Sequence, residues 1–164
     1  VHGINYLPVT GASLYLGRWP DYARKNYAAL VAENLESDLA TAAKRGQSTV
    51  TGDGTAFDQW ADVMWMYRAL TDPDDALRMW EARSADFKPE AGNSLAQTYA
   101  WLTAFADLGQ VDRTVTADTP FAAVFTKQGK RTHVAWNPGL TARTVTFSDG
   151  MKLEAAPQSC ASAH

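Results

Sequence analysis

Residues 57–83 read "FDQWADVMWMYRALTDPDDALRMWEAR". Phe57, Trp60, Met64, Tyr67 and Leu70 recur every three or four positions. That spacing predicts an amphipathic helix across Phe57–Leu70. Val63, Trp65 and Met66 widen the apolar surface, so the helix should be deeply buried. A second helix follows at once. Asp72 suits the N-cap, Pro73 the first turn, and Asp74 and Asp75 the positive end of the helix dipole. Helices joined this closely run antiparallel as neighbours.

The helical period extends both ways. Upstream, "PDYARKNYAALVAENLESDLATAAKRG" (20–46) carries Tyr22, Tyr27, Leu30, Val31, Leu35 and Leu39 at gaps suited to a long helix that Gly46 stops. Gly52-Asp53-Gly54 then supplies turn chemistry. Downstream, a helix is expected to start at Asn93 or Ser94. It should bury Leu95, Tyr99, Leu102 and Phe105 or Ala106, and end at Gly109.

Beyond about residue 121 the period changes to that of strands. "FAAVFTKQGKRTHVAWNP" (121–138) reads as two strands across a Gln128-Gly129 turn, and "ARTVTFSDGMKLEAA" (142–156) as two more across Asp149-Gly150. The fold class that follows is mainly α with a C-terminal antiparallel β element, hence α+β. The expected division is a helical portion at 1–112, a β-hairpin portion at 113–157 and a tail at 158–164.

At 164 residues and 46% apolar composition, the chain can build an ordinary packed core. A formal charge of −3, with no basic stripe, argues against nucleic acid as a partner. No apolar run approaches the roughly 20 residues that span a bilayer. Cys160 is the only cysteine, so no internal disulfide forms. His2, His133 and His164 stand apart without a second ligand at helical spacing, which gives no metal site, and no phosphate-binding glycine motif supports a nucleotide cofactor. No cofactor is therefore expected. Six Trp residues are an excess. Most should fill core, yet Trp is also the ring that stacks on the apolar C–H faces of sugars. Among carboxylates, Glu90, between Pro89 and Gly92 and just ahead of a helix start, reads either as a cleft-facing acid or as a helix-start carboxylate that favours the dipole. Asp53 reads as turn chemistry and Asp62 as a solvated helix face.

Five segments taken in order, "GINYLPVTGASLYLG" (3–17), "WADVMWMYRALTDPDDAL" (60–77), "EAGNSLAQTYAWLTAFADLGQVDRTVTADTPFAAVF" (90–125), "GKRTHVAWNPG" (129–139) and "TVTFSDG" (144–150), resemble the C-terminal part of glycoside hydrolase family 81, the endo-β-1,3-glucanases or laminarinases. The family fold implied is a β-sandwich, a linking domain and an (α/α)6 barrel with a cleft for β-1,3-glucan. The helices here would be a partial barrel, its last few members. The resemblance implies hydrolysis with inversion by an acid and a base that lie upstream of a GIxxLP stretch like Ile4 to Pro8. No catalytic residue carries over, and the acid and base fall outside this chain. It implies two partners, β-1,3-glucan and the remaining catalytic part of the same enzyme, and an extracellular, secreted setting. If the chain touches glucan, the aromatic-rich opening segment, at Tyr6, Tyr15 and Trp19, is the expected place, because glycines and Pro8 let the backbone present rings; the alternative is that Tyr6 and Tyr15 pack beneath the barrel floor. The alternatives are a non-catalytic glucan-binding module and a structural or assembly module.

Overall fold

The computed structural model describes residues 19–47, 54–55, 57, 60–83, 85, 87–89 and 92–164. The chain divides into two compact units, Val1–Ala106 and Asp107–His164. The class is mixed α and antiparallel β.

In the first unit, α1 spans Pro20–Lys44. Pro20 needs no N–H at the first helical position, and Gly46, at φ 73°, turns the chain out after Arg45. Its buried face is Ala23, Tyr27, Leu30 and Ala42. Tyr22 and Leu39, expected inside, are exposed. Asn34 Nδ2 donates to the Gly54 carbonyl at 3.1 Å. Gly54 sits at φ 84° with its α-carbon against the Val31 carbonyl and Leu35, so no side chain fits there.

The second helix, α2 (Ala61–Ala69), starts later than the Phe57 periodicity predicts. Trp60 takes a left-handed conformation at φ 60° and ψ 24°, which an α-helix cannot continue through. From Ala61 to Tyr67 every residue is buried, as the all-round apolar surface predicts. α3 spans Pro73–Arg83. Asp72 caps it, its Oδ1 accepting the Asp75 N–H at 3.3 Å. Arg68 donates to Asp72 at 2.7 Å and to Asp75 at 2.9 Å, tying the two helices together. Beneath this lies an aromatic core. Trp65 meets Trp80 edge-on at 5.8 Å and Phe87 at 4.8 Å, and the Arg83 guanidinium stands 5.8 Å over the Trp65 ring.

α4 spans Leu95–Leu108. Ser94 caps it by accepting the Gln97 N–H on Oγ at 3.1 Å. The buried stripe is Thr98, Leu102, Phe105 and Ala106. Leu95 and Tyr99 face outward instead, while Thr98, held by Asn93, takes an inward position. Gly109, at φ 86°, ends the run as expected.

The second unit holds β1 (Gln110–Val111), β2 (Ala122–Lys127), β3 (Lys130–Asn137), β4 (Arg143–Thr146), β5 (Lys152–Ala155) and β6 (Ser159–Ala163). One sheet has the order β1-β2-β3-β6, and β4 pairs with β5 in a separate hairpin; all pairs are antiparallel. Gln128 at φ 50° and Gly129 at φ 77° make the tight turn with primed-type twist between β2 and β3. Asp149-Gly150 turns β4 into β5, with Gly150 at φ 91°. Val124 and Ala135 of the sheet pack with Val145, Phe147 and Leu153 of the hairpin, along with Val115, in one core. The final residues, read as a tail, form β6, with Ala161 opposite Ala135 and Ala163 opposite His133.

Candidate functional site and buried polar clusters

Of the three aromatic residues expected to touch sugar, only Trp19 can be placed. It precedes Pro20 at the start of α1, is 58% exposed, and its carbonyl accepts the Ala23 N–H at 3.0 Å. Tyr6 and Tyr15 lie outside the described residues, as do Glu90 and Asp53.

Within α1, Tyr22 and Asn26 stand four positions apart on one helix face, a pair the sequence pattern did not single out as a site. The Tyr67 hydroxyl of α2 donates to Asn26 Oδ1 at 3.0 Å. Burial pushes the Tyr67 phenol up to about 12, and the Tyr22 phenol nearby adds to the shift. Tyr67 therefore stays protonated and remains a donor at any ordinary pH.

A second constellation is internal. Asp62, expected on a solvated face, is fully buried. Asn93 Nδ2 donates to Asp62 Oδ2 at 2.6 Å and lies 3.0 Å from Thr98 Oγ1 and 3.5 Å from Met66 Sδ. Trp101 Nε1 donates to the Met66 carbonyl at 2.9 Å. These contacts bind the loop ahead of α4 to α2. The sequence signal was present, since Asp62 falls within the apolar face of α2, but a single acid there reads equally as an exposed position.

A third cluster lies in the β unit. Arg131 Nε donates to Asp112 at 2.8 Å, and Thr114 donates to the same carboxylate through its hydroxyl at 2.6 Å. These bonds, Thr114 first, hold the Asp112 carboxyl down at about 2. His133 Nε2 donates to Asp149 Oδ2 at 2.9 Å across the strand-to-hairpin contact. That bond is the main cause of a lowered Asp149 carboxyl, with the Met151 N–H and Arg131 adding to it. Asn137 is buried and links β3 to the Thr141, Ala155 and Ala156 carbonyls at 2.8–3.1 Å. Each of these acids is engaged in holding elements together. Among the described residues, no group of three or more His, Cys, Asp or Glu side chains could hold a metal ion.

Comparison with known proteins gives a consistent result. No family model matches the chain. It is 44% identical over 157 residues to a glucan endo-1,3-β-D-glucosidase of Thermobifida fusca, an alignment covering 96% of this chain and 18% of the relative. It is 40% identical over 160 residues to a glucan endo-1,3-β-D-glucosidase of Acetivibrio thermocellus, covering 98% of this chain and again 18% of the relative. A solved structure titled glycoside hydrolase family 81 from Clostridium thermocellum superposes with a TM-score of 0.74 at 40% identity, over 99% of this chain and 20% of that one. The chain thus spans about a fifth of the length of the proteins it matches.

Proposed function

The chain belongs to glycoside hydrolase family 81 and corresponds to the C-terminal part of its members, and from that premise we propose that it is part of a hydrolase that cleaves β-1,3-glucan with inversion. The observation that carries the reading is the similarity to two glucan endo-1,3-β-D-glucosidases over nearly the whole chain, at 44% and 40% identity.

Inverting hydrolysis needs an acid that protonates the leaving oxygen and a base that activates water on the opposite ring face, with the two carboxyl groups about 6.5–9.5 Å apart. Asp62, Asp72, Asp75, Asp112 and Asp149 are all committed to structural bonds. The resemblance puts the acid and base upstream of the GIxxLP stretch, so we place them outside this chain, in the remaining catalytic part of the same enzyme, with Glu90 kept as a candidate within it. In this reading residues 1–112 supply helices of a barrel of (α/α)6 type and residues 113–157 its closing hairpins. Trp19, with Tyr6 and Tyr15, takes the sugar face. The setting is extracellular, because a polymeric glucan must be cut before it can enter a cell. No described helix is long and apolar enough to cross a membrane.

A chimera tests the proposal. The 164 residues would replace the matching segment of the Thermobifida fusca enzyme, and the products of laminarin would be followed by NMR. Hydrolysis with the α-anomer appearing first supports the reading. A folded chimera that leaves laminarin intact, or that releases the β-anomer first, overturns it.

A further inference from the structure

We infer that β6 is a docking edge, which a strand of the remaining catalytic part of the same enzyme extends by main-chain hydrogen bonds to Cys160 and Ser162. The inference rests on the reading of the chain as part of a family 81 hydrolase. It adds the surface through which the two parts meet, which that reading does not name.

The sheet order β1-β2-β3-β6 leaves β6 at one end, with a strand on one side only. The orientation of its peptide groups follows from β3. The Trp136 N–H donates to the Phe121 carbonyl at 2.8 Å, so the Trp136 peptide groups face β2 and turn away from β6. Opposed residues of an antiparallel pair alternate between exchanging both bonds and exchanging none. Cys160, opposite Trp136, and Ser162, opposite Val134, therefore hold their N–H and C=O groups out past the edge. Ala161, between them and opposite Ala135, holds its own toward β3. Among the described residues, no backbone bond beyond the β3 ladder reaches Cys160 or Ser162. Both side chains are exposed.

Open edges are normally blunted by shortness, charge, proline or a bulge. The opposite edge, β1, is two residues long and runs into Asp112 and Arg113. β6 has none of these devices. Its sequence, Ser-Cys-Ala-Ser-Ala, carries no charge and no proline, and its pairing with β3 runs unbroken from Ser159 and Asn137 to Ala163 and His133. Beside it the sheet shows apolar surface. Trp136, one strand in from the edge, is 44% exposed, and Phe121, on its other flank, 49%. A strand added to β6 would set a side chain next to Cys160 and carry the row of Phe121, Trp136 and Cys160 outward. The occupant follows from length. The match takes in only 18% of each of the two relatives, so in the proposed enzyme most of the molecule lies outside these residues and must seat against them. An extended segment of that part, apolar on the side that meets the Trp136 row, fits this edge by backbone pairing.

Hydrogen exchange tests this on the isolated chain and on the chimera with the Thermobifida fusca enzyme, alongside two proline variants. In the isolated chain the Ala161 amide should exchange slowly and those of Cys160 and Ser162 fast. In the chimera Cys160 and Ser162 should become slow as well. Ser162→Pro removes one outward N–H, so the isolated chain should melt as the parent does while the chimera loses melting temperature. Ala161→Pro removes a bond to β3 and should lower the melt of the isolated chain itself. Fast exchange at Cys160 and Ser162 in both proteins overturns the inference. So does a Ser162→Pro variant that lowers the melt of the isolated chain as far as Ala161→Pro does, or that leaves the chimera unchanged. Slow exchange at both positions in the isolated chain also overturns it, and a doubled mass in sedimentation then assigns the edge to a second copy of the chain. A chimera that hydrolyses laminarin with its edge unprotected overturns the docking edge and leaves the hydrolase reading standing. A folded chimera with a protected edge that leaves laminarin intact supports the docking edge and overturns the hydrolase reading.

Discussion

Asn93 serves two polar side chains with one amide nitrogen, meeting Asp62 at 2.6 Å and Thr98 at 3.0 Å. Removing it leaves a buried carboxylate short of a charge-assisted bond. Asn93→Ala should therefore destabilise the fold by about 1.5–3 kcal/mol, read as a shift in the urea midpoint. Asp112 gives a pH-dependent counterpart. Its carboxyl sits at about 2, below the ordinary 3.8. A depressed folded value stabilises the native state above about pH 3.8, and that contribution is lost as pH falls toward 2. Asp112→Asn should be less stable than the parent at pH 5, and the two should converge near pH 2. Parallel stability curves across that window would contradict the assignment. Neither role was legible in the sequence. Asp62 occupies a helix position compatible with either face until the partner loop is placed, and Asp112 finds Arg131 only through the register of β1, β2 and β3.

Elements were more legible than their faces. The turns at Gln128-Gly129 and Asp149-Gly150, the caps Asp72 and Ser94, and the stops at Gly46 and Gly109 all follow from local chemistry that tertiary context does not alter. Three features depend on packing and were missed. Trp60 breaks the periodicity of its own segment through a backbone conformation that no side-chain pattern encodes. Tyr99 points outward because Thr98, a polar residue, takes the inward position. β6 turns only Ala161 and Ala163 toward the core, too little apolar surface to mark a strand in the sequence. Two substitutions test the packing. Met64, fully buried in α2, should cost about 2–5 kcal/mol as Met64→Ala. Gly54→Ala must clash with the Val31 carbonyl at a positive φ, and it should lower the melting temperature more than Gly46→Ala, whose surroundings are open. Equal effects at the two glycines would contradict the close approach of residue 54 to α1.

At the scale of the molecule, each of the two units carries its own core, aromatic in Val1–Ala106 and aliphatic with Phe147 in Asp107–His164. Asp62, Asp72, Asp75, Asp112 and Asp149 hold elements together within those units, while Asp21 pairs with Arg24 on the surface. In the proposed function, this family 81 chain contributes scaffold and sugar contact while the acid and base belong to the rest of the enzyme. The most direct measurement is the release of reducing ends from laminarin by the purified, folded chain alone. The account predicts none above the buffer control. Turnover that disappears in Glu90→Gln would contradict it, by placing the catalytic acid within these 164 residues.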